Sequence, residues 1–142
     1  MSIDGRIHSE IGQGMLVLFC VETSDSRDYI DWMVRKIINM RIFDDEEGVM
    51  NRSIQDIGGE ILVVSQFTLA ANVMKGTRPS YVDAARPEKA VPMYEEFCQA
   101  LSRASGREVK TGVFGADMKV ALVNDGPVTI PLSLGGKDGE DR

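Results

Sequence analysis

The sequence is short of the side chains on which much enzyme chemistry rests. It has one histidine, His8, close to the chain start, and two cysteines, Cys20 and Cys98. A Ser-His-Asp or Cys-His centre would have to run through that one imidazole, which has no orienting partner near it in sequence, so no such centre is expected. The cysteines lie in apolar surroundings, VLFCVE and YEEFCQAL, without metal-ligand spacing, and read as buried thiols. HExxH, CxxC, an EF-hand loop, GxGxxG and GxxxxGKS/T are all missing, so neither a metal nor a nucleotide cofactor is predicted. The consecutive acids Asp44, Asp45, Glu46 and Glu47 read as a solvated turn rather than a metal cage. Positive charge is also in deficit: the formal net charge of −6 argues against a broad basic face for nucleic acid, though not against a site that grips only the end of one. The longest apolar run, Met15 to Val21, is far too short to span a bilayer, and the N-terminus carries no signal pattern. No membrane association and a cytoplasmic location are the default expectations.

What is present is the balance of a globular protein, with 43% hydrophobic and 27% charged residues in 142. That length makes one domain, assigned to residues 1–134, with GGKDGEDR from 135 to 142 as a flexible tail. SIDGRIHSEIGQG reads as strand pieces separated by glycine turns, and MLVLFCVE as a buried strand. Ile30, Met33, Val34, Ile37 and Ile38 recur at helical spacing, with Ser24 or Ser26 available as N-cap. RIF predicts a short strand, DDEEG a turn, and Glu60 to Ala71 a long central strand with Ile61 and Val63 on one face and Leu62 and Val64 on the other. A second helix is predicted from about Pro87 to Ala104, with Val91, Tyr94, Phe97, Cys98 and Leu101 as its apolar stripe and Pro92 as a possible kink. REVKTGVFGADMKVALV and VTIPLSL read as further strands. The pattern predicts an α+β domain with mixed sheets and two helices rather than a βαβ series.

Three stretches have chemistry to offer. SQFT, Ser65 to Thr68, puts polar side chains at the end of an apolar strand, where they are either satisfied by hydrogen bonds or exposed in a pocket. Thr68 as a β-former and Gln66 as a surface residue is the plainer reading. KGTRPSY is a loop with Lys75 and Arg78, suited to phosphate contact or simply to solubility. NDGPVT, Asn124 to Thr129, lies between apolar runs as a turn would, but its proline removes an N–H that a following strand could use.

Taken together and in order, RIFDDEEGVMN, SQFTLAA, KGTRPSY, TGVFGADM and VNDGPVTI resemble the D-aminoacyl-tRNA deacylase family, over Gly5 to Leu134. The resemblance implies a layered ββα fold, a homodimer with active sites at the interface, no metal or cofactor, and hydrolysis of the ester between a D-amino acid, or glycine, and the terminal adenosine of tRNA, with L-aminoacyl-tRNA spared. It makes Ser65, Gln66, Phe67 and Thr68 the catalytic pocket. Gly126 and Pro127, joined by a cis peptide, with Asn124 and Thr129, become the substrate-binding and chirality-selecting segment supplied by the other subunit. Lys75 and Arg78 are candidate tRNA contacts. Either Thr68 Oγ or the terminal ribose 2′-OH would carry the chemistry, and the lack of a base beside Thr68 favours the ribose. Family members begin with a strand, including a Gln-Arg-Val stretch, before the position of Ser2, and this chain starts at MSIDG. The alternative reading is therefore a catalytically impaired nucleic-acid-binding or scaffolding relative. Val49 stands where a Lys is common.

Overall fold

A computed structural model describes residues 1–135. The tail expected at 135–142 lies outside them except for Gly135. In chain order the elements are β1 (Ser2–Ile3), β2 (Arg6–Ile7), β3 (Gly14–Phe19), α1 (Asp28–Asn39), β4 (Phe43–Asp44), β5 (Met50–Arg52), α2 (Ile54–Ile57), β6 (Glu60–Ser65), a 3₁₀ turn (Phe67–Ala70), α3 (Pro87–Ser105), β7 (Lys110–Thr111) and β8 (Met118–Lys119).

β6 is the axis of the fold. It pairs in parallel with β3, from Gly14↔Glu60 to Phe19↔Ser65, and in parallel with β7 at Leu62↔Lys110 and Val63↔Thr111. Parallel neighbours require crossover connections, and α1 and α3 lie within them. Gly14 is fixed by this pairing, because a Cβ there would stand 1.8 Å from the Glu60 carbonyl oxygen. Alternation along β6 sends Ile61 and Val63 to one face and Leu62 and Val64 to the other, and each face meets its own apolar layer. On the first, Ile30, Val34, Ile37 and Ile38 of α1 meet Met93, Tyr94, Phe97 and Leu101 of α3. On the second, Leu62 and Val64 pack with Met1, Ile3 and Met118 of the antiparallel sheet β2-β1-β8. The result is helices on sheet on sheet, the α+β class predicted, with one purely parallel sheet inside it.

Several local expectations are corrected. The central strand ends at Ser65 rather than Ala71, and Phe67–Ala70 is helical. Its partner strand β3 stops at Phe19, so residues past Gln66 have no ladder to join, whatever their β-propensity. β3 itself is half-buried, with Leu18 exposed, because it is the edge of its sheet. α1 starts after Arg27, with no side-chain cap on that residue; Ser26 Oγ instead accepts from Asp28 N at 3.2 Å. A third helix, α2, was not anticipated. It has one turn, held by reciprocal bonds between Ser53 and Asp56, with Oγ accepting from Asp56 N at 3.1 Å and the Asp56 carboxylate from Ser53 N at 2.8 Å. α3 continues past exposed Pro92, since burial of Ala90, Met93 and Tyr94 on either side offsets the one lost hydrogen bond; Ala90, Met93 and Ala100, not Val91, complete its buried stripe. The acidic run closes the β4–β5 hairpin, with Asp45 Oδ1 accepting from Glu47 N and Val49 N; these bonds, led by that from Val49, hold its carboxyl below the usual carboxylate range. REVKTGVFGADMKVALV keeps only the two-residue β7 and β8, and residues 120–135, VTIPLSL among them, form no strand. None of the described strands pairs with that segment, and Leu122, Val123 and Ile130 remain exposed.

Candidate active site

The end of β6 is where the apolar core runs out. Val63 is fully buried and Val64 nearly so, Ser65 and Gln66 are half-buried, and Phe67 is 55% exposed. Gln66 N donates to the Phe19 carbonyl at 2.7 Å, the last bond of the ladder, and the chain then turns sharply. In the 3₁₀ turn, Leu69 N donates to the Gln66 carbonyl and Ala71 N to that of Thr68. The backbone N–H groups of Phe67 and Thr68 stand at the start of that turn, where no carbonyl precedes them in the helix, and make no hydrogen bond found among the described residues. Gln66 Nε2 donates to Thr68 Oγ1, so the hydroxyl's own proton is left to point at a ligand. Phe67 is braced edge-on by Tyr81, with centroids 5.1 Å apart. Tyr81 lies on the loop after the 3₁₀ turn and was missed in the sequence, where a lone tyrosine in a Gly/Pro-containing loop carries no signal.

Behind this turn is a narrow cleft, with room for little more than a water, lined by Phe19, Cys20, Ser65, Phe67, Tyr94 and Phe114 among others. Its floor is rigid. Phe19 stacks on Phe97 at 4.1 Å and 11°, and Tyr94 Oη donates to the Val63 carbonyl at 3.2 Å. Cys20 Sγ lies 3.7 Å from the Phe67 carbonyl oxygen, near enough to invite a nucleophilic role. Burial first, then the neighbouring Glu22 and Asp25 carboxylates, push its thiol up to about 11, which leaves almost no thiolate at neutral pH. Cys98, also half-buried, is raised to about 11, chiefly by burial. His8 is exposed, and its backbone N–H donates to the Met1 carbonyl at 2.9 Å. No titratable base is bonded to Thr68 Oγ1 among the described residues.

Lys75 and Arg78 sit on the exposed loop that Asn72 and Ser80 close with paired backbone bonds of 2.7 and 2.8 Å. Neither cation makes an ion pair among the described residues. The loop continues the chain directly from the 3₁₀ turn.

Asn124 to Thr129 is built differently. Asn124, Asp125, Gly126 and Pro127 are all exposed, and the Gly126–Pro127 peptide is cis. Asn124 Oδ1 accepts from Val128 N at 2.8 Å, while Asn124 Nδ2 donates to Thr129 Oγ1 at 2.7 Å. Gly126 has φ +135°, a region L side chains rarely adopt, and a Cβ on it would stand 2.9 Å from Val128 Cγ2. Among the described residues no hydrogen bond or ring contact joins this segment to Ser65–Thr68.

The model of the family described as D-Tyr-tRNA(Tyr) deacylase matches residues 1–133. The chain belongs to that family. It is 59% identical over 138 residues to a D-aminoacyl-tRNA deacylase of Bacteroides thetaiotaomicron, spanning 97% of this chain and 92% of that protein. It is 54% identical over 132 residues to one of Flavobacterium johnsoniae, spanning 93% and 88%. Among solved structures it is similar to one named c-Myc DNA Unwinding Element Binding Protein, with TM-score 0.84 and 41% identity over 91% of this chain and 87% of the other. A probable eukaryotic D-amino acid tRNA deacylase shares the fold, at TM-score 0.63 and 18% identity over 75% and 77%.

Proposed function

We infer a division of labour between two chains in an enzyme that is a D-aminoacyl-tRNA deacylase, a hydrolase acting on an ester bond. The observation that carries it is the contrast between the two halves, which share no hydrogen bond among the described residues: a largely half-buried turn at Ser65–Thr68 and an exposed, self-bonded turn at Asn124–Thr129. In a homodimer, the turn of one subunit enters the pocket of the other. The exposed Leu122, Val123 and Ile130 that flank the turn supply apolar surface for that contact.

In the completed site, the carbonyls of Gly126 and Pro127 accept from the substrate ammonium and fix the α-carbon. An L side chain then points into the wall formed by these residues, whereas a D side chain points away and glycine has nothing to reject. Selectivity of this kind comes from exclusion of the wrong enantiomer rather than tighter grip on the right one. Water attacks the ester carbonyl carbon, the bond to the ribose 3′-oxygen breaks, and that oxygen leaves with a proton, giving free D-amino acid and tRNA. The N–H groups of Phe67 and Thr68 face the developing oxyanion, and such donors are worth roughly 2.7–4 kcal/mol each. Thr68 Oγ1, already engaged by Gln66 and lacking a base, positions rather than attacks. The ribose 2′-OH orients the water. Lys75 and Arg78 hold phosphates of the acceptor end, a small contact compatible with a net charge of −6. The enzyme acts in the cytoplasm, where synthetase errors arise, as an editing step.

Matched D- and L-tyrosyl-tRNA, each with a normal and a 2′-deoxy terminal adenosine, test the reading. The expected result is rapid loss of the D-ester alone, abolished by the 2′-deoxy substitution. Equal decay of both enantiomers, or none above background, sinks it.

A further inference from the structure

The residues around Gly126 and Pro127 divide into those free to meet a ligand and those already committed. Asn124 is committed through both ends of its amide: Oδ1 takes the Val128 N–H at 2.8 Å and Nδ2 gives a hydrogen to Thr129 Oγ1 at 2.7 Å. These two bonds span the base of the loop and leave Asp125, Gly126 and Pro127 projecting beyond them. The segment belongs to no strand and is solvent-exposed except for half-buried Val128, so neither a sheet ladder nor a packed core fixes its shape. Anchoring of Val128 N by Asn124 also sets the Val128 side chain against Gly126, where an added Cβ would lie 2.9 Å from Val128 Cγ2. An exposed loop held by so few contacts is disordered by loss of any of them.

We propose that Asn124 and Thr129 are positioning residues that form a polar clamp across the Gly126–Pro127 loop and preset, within each chain, the carbonyl wall that discriminates the substrate's α-carbon. This rests on the reading that the loop serves a partner's pocket. It also reassigns both residues, which the sequence resemblance grouped with substrate binding, to a role that acts through Gly126 and Pro127. The physical basis is preorganisation: a wall that excludes one enantiomer must be stiff on the scale of a methyl group, and a loop that relaxes admits the wrong side chain at little cost.

The clamp is open to side chains that keep its bonds and closed to those that do not. Thr129→Ser retains the hydroxyl acceptor, while Thr129→Val keeps the shape and removes it. Asn124→Ala removes both bonds. The expected result is that Thr129→Val and Asn124→Ala each lower the ratio of D- to L-tyrosyl-tRNA deacylation by about tenfold, as befits loss of one or two hydrogen bonds. The ratio should fall mainly through faster cleavage of the L-ester, with the melting temperature unchanged, and Thr129→Ser should behave as the wild type. An independent readout is amide hydrogen exchange at Val128, protected in the wild type and faster in Asn124→Ala. A wild-type ratio in Thr129→Val, or unaltered Val128 exchange in Asn124→Ala, overturns the clamp while leaving the deacylase reading intact. A wild-type protein that cleaves both esters alike overturns that reading and the clamp with it.

Discussion

The two halves of the proposed site are held in place by opposite means. Ser65–Ala70 is positioned from behind: its strand lies between two apolar layers, and its last ladder bond ends on Phe19, itself stacked on fully buried Phe97. Asn124–Thr129 has almost nothing behind it and is shaped by hydrogen bonds among its own residues. A pocket proposed to hold a reacting ester benefits from the stiffness of a packed core. A segment proposed to enter another molecule has to stand clear of its own core, so local polar bonds are the means left to it. Substitutions should therefore separate cleanly, with stability lost in the first region and selectivity lost in the second.

The largest effect is expected from Phe97→Ala. Removal of a fully buried ring from the stack under Phe19 should cost about 3–5 kcal/mol, read as a lower urea midpoint with loss of all deacylation as the pocket slackens. Full activity in a Phe97→Ala protein of near-normal stability would break the idea that the pocket is held from behind. Next comes Gly126→Ala. At φ +135°, with Val128 Cγ2 in the way, the new methyl forces the exposed loop to move, and the D-to-L ratio should drop about tenfold with little change in melting temperature. Thr68→Ala removes the acceptor for Gln66 and should slow deacylation only about fivefold, the worth of one hydrogen bond; a loss of a thousandfold or more would reinstate the hydroxyl as nucleophile. The smallest effect concerns the thiols. With folded values of about 11 against an ordinary 9.0, Cys20 and Cys98 stay protonated at neutral pH, so alkylation should be slow at pH 7.5 and accelerate until about pH 11. The sign for stability follows: both pKa values are raised by folding, so their contribution is intact below about pH 9 and is lost as pH rises towards 11. Rapid alkylation of native Cys20 at pH 7.5 would mean that the cleft beside Phe67 is more open than its lining suggests.

Much of the first region was legible. The alternation of Ile61 to Val64, the helical spacing of Ile30 to Ile38 and the proline at the start of α3 each state a local preference that the fold keeps. The end of β6 was not legible, because Phe67 and Thr68 are good strand formers and only the stopping of β3 at Phe19 denies them a partner. Likewise VTIPLSL has strand composition but pairs with no strand among the described residues, and Ser26 offers its hydroxyl to Asp28 without being the cap. The second region was legible as a motif and not as a geometry. NDGPVT announces an unusual turn, but which of its residues hold the loop and which face outward depends on where the Asn124 amide points.

The sequence by itself determined the class of the fold, the faces of its central strand and the family, since these follow from periodicity and from motifs whose order is written along the chain. Tertiary structure alone decided that the polar end of β6 turns into a pocket, that Cys20 beside it is kept a thiol, and that Asn124 is spent on Val128 and Thr129. The reason is physical: local propensity reports what a segment prefers in isolation, whereas strand endings, pKa shifts and hydrogen-bond commitments depend on neighbours that only folding brings within reach.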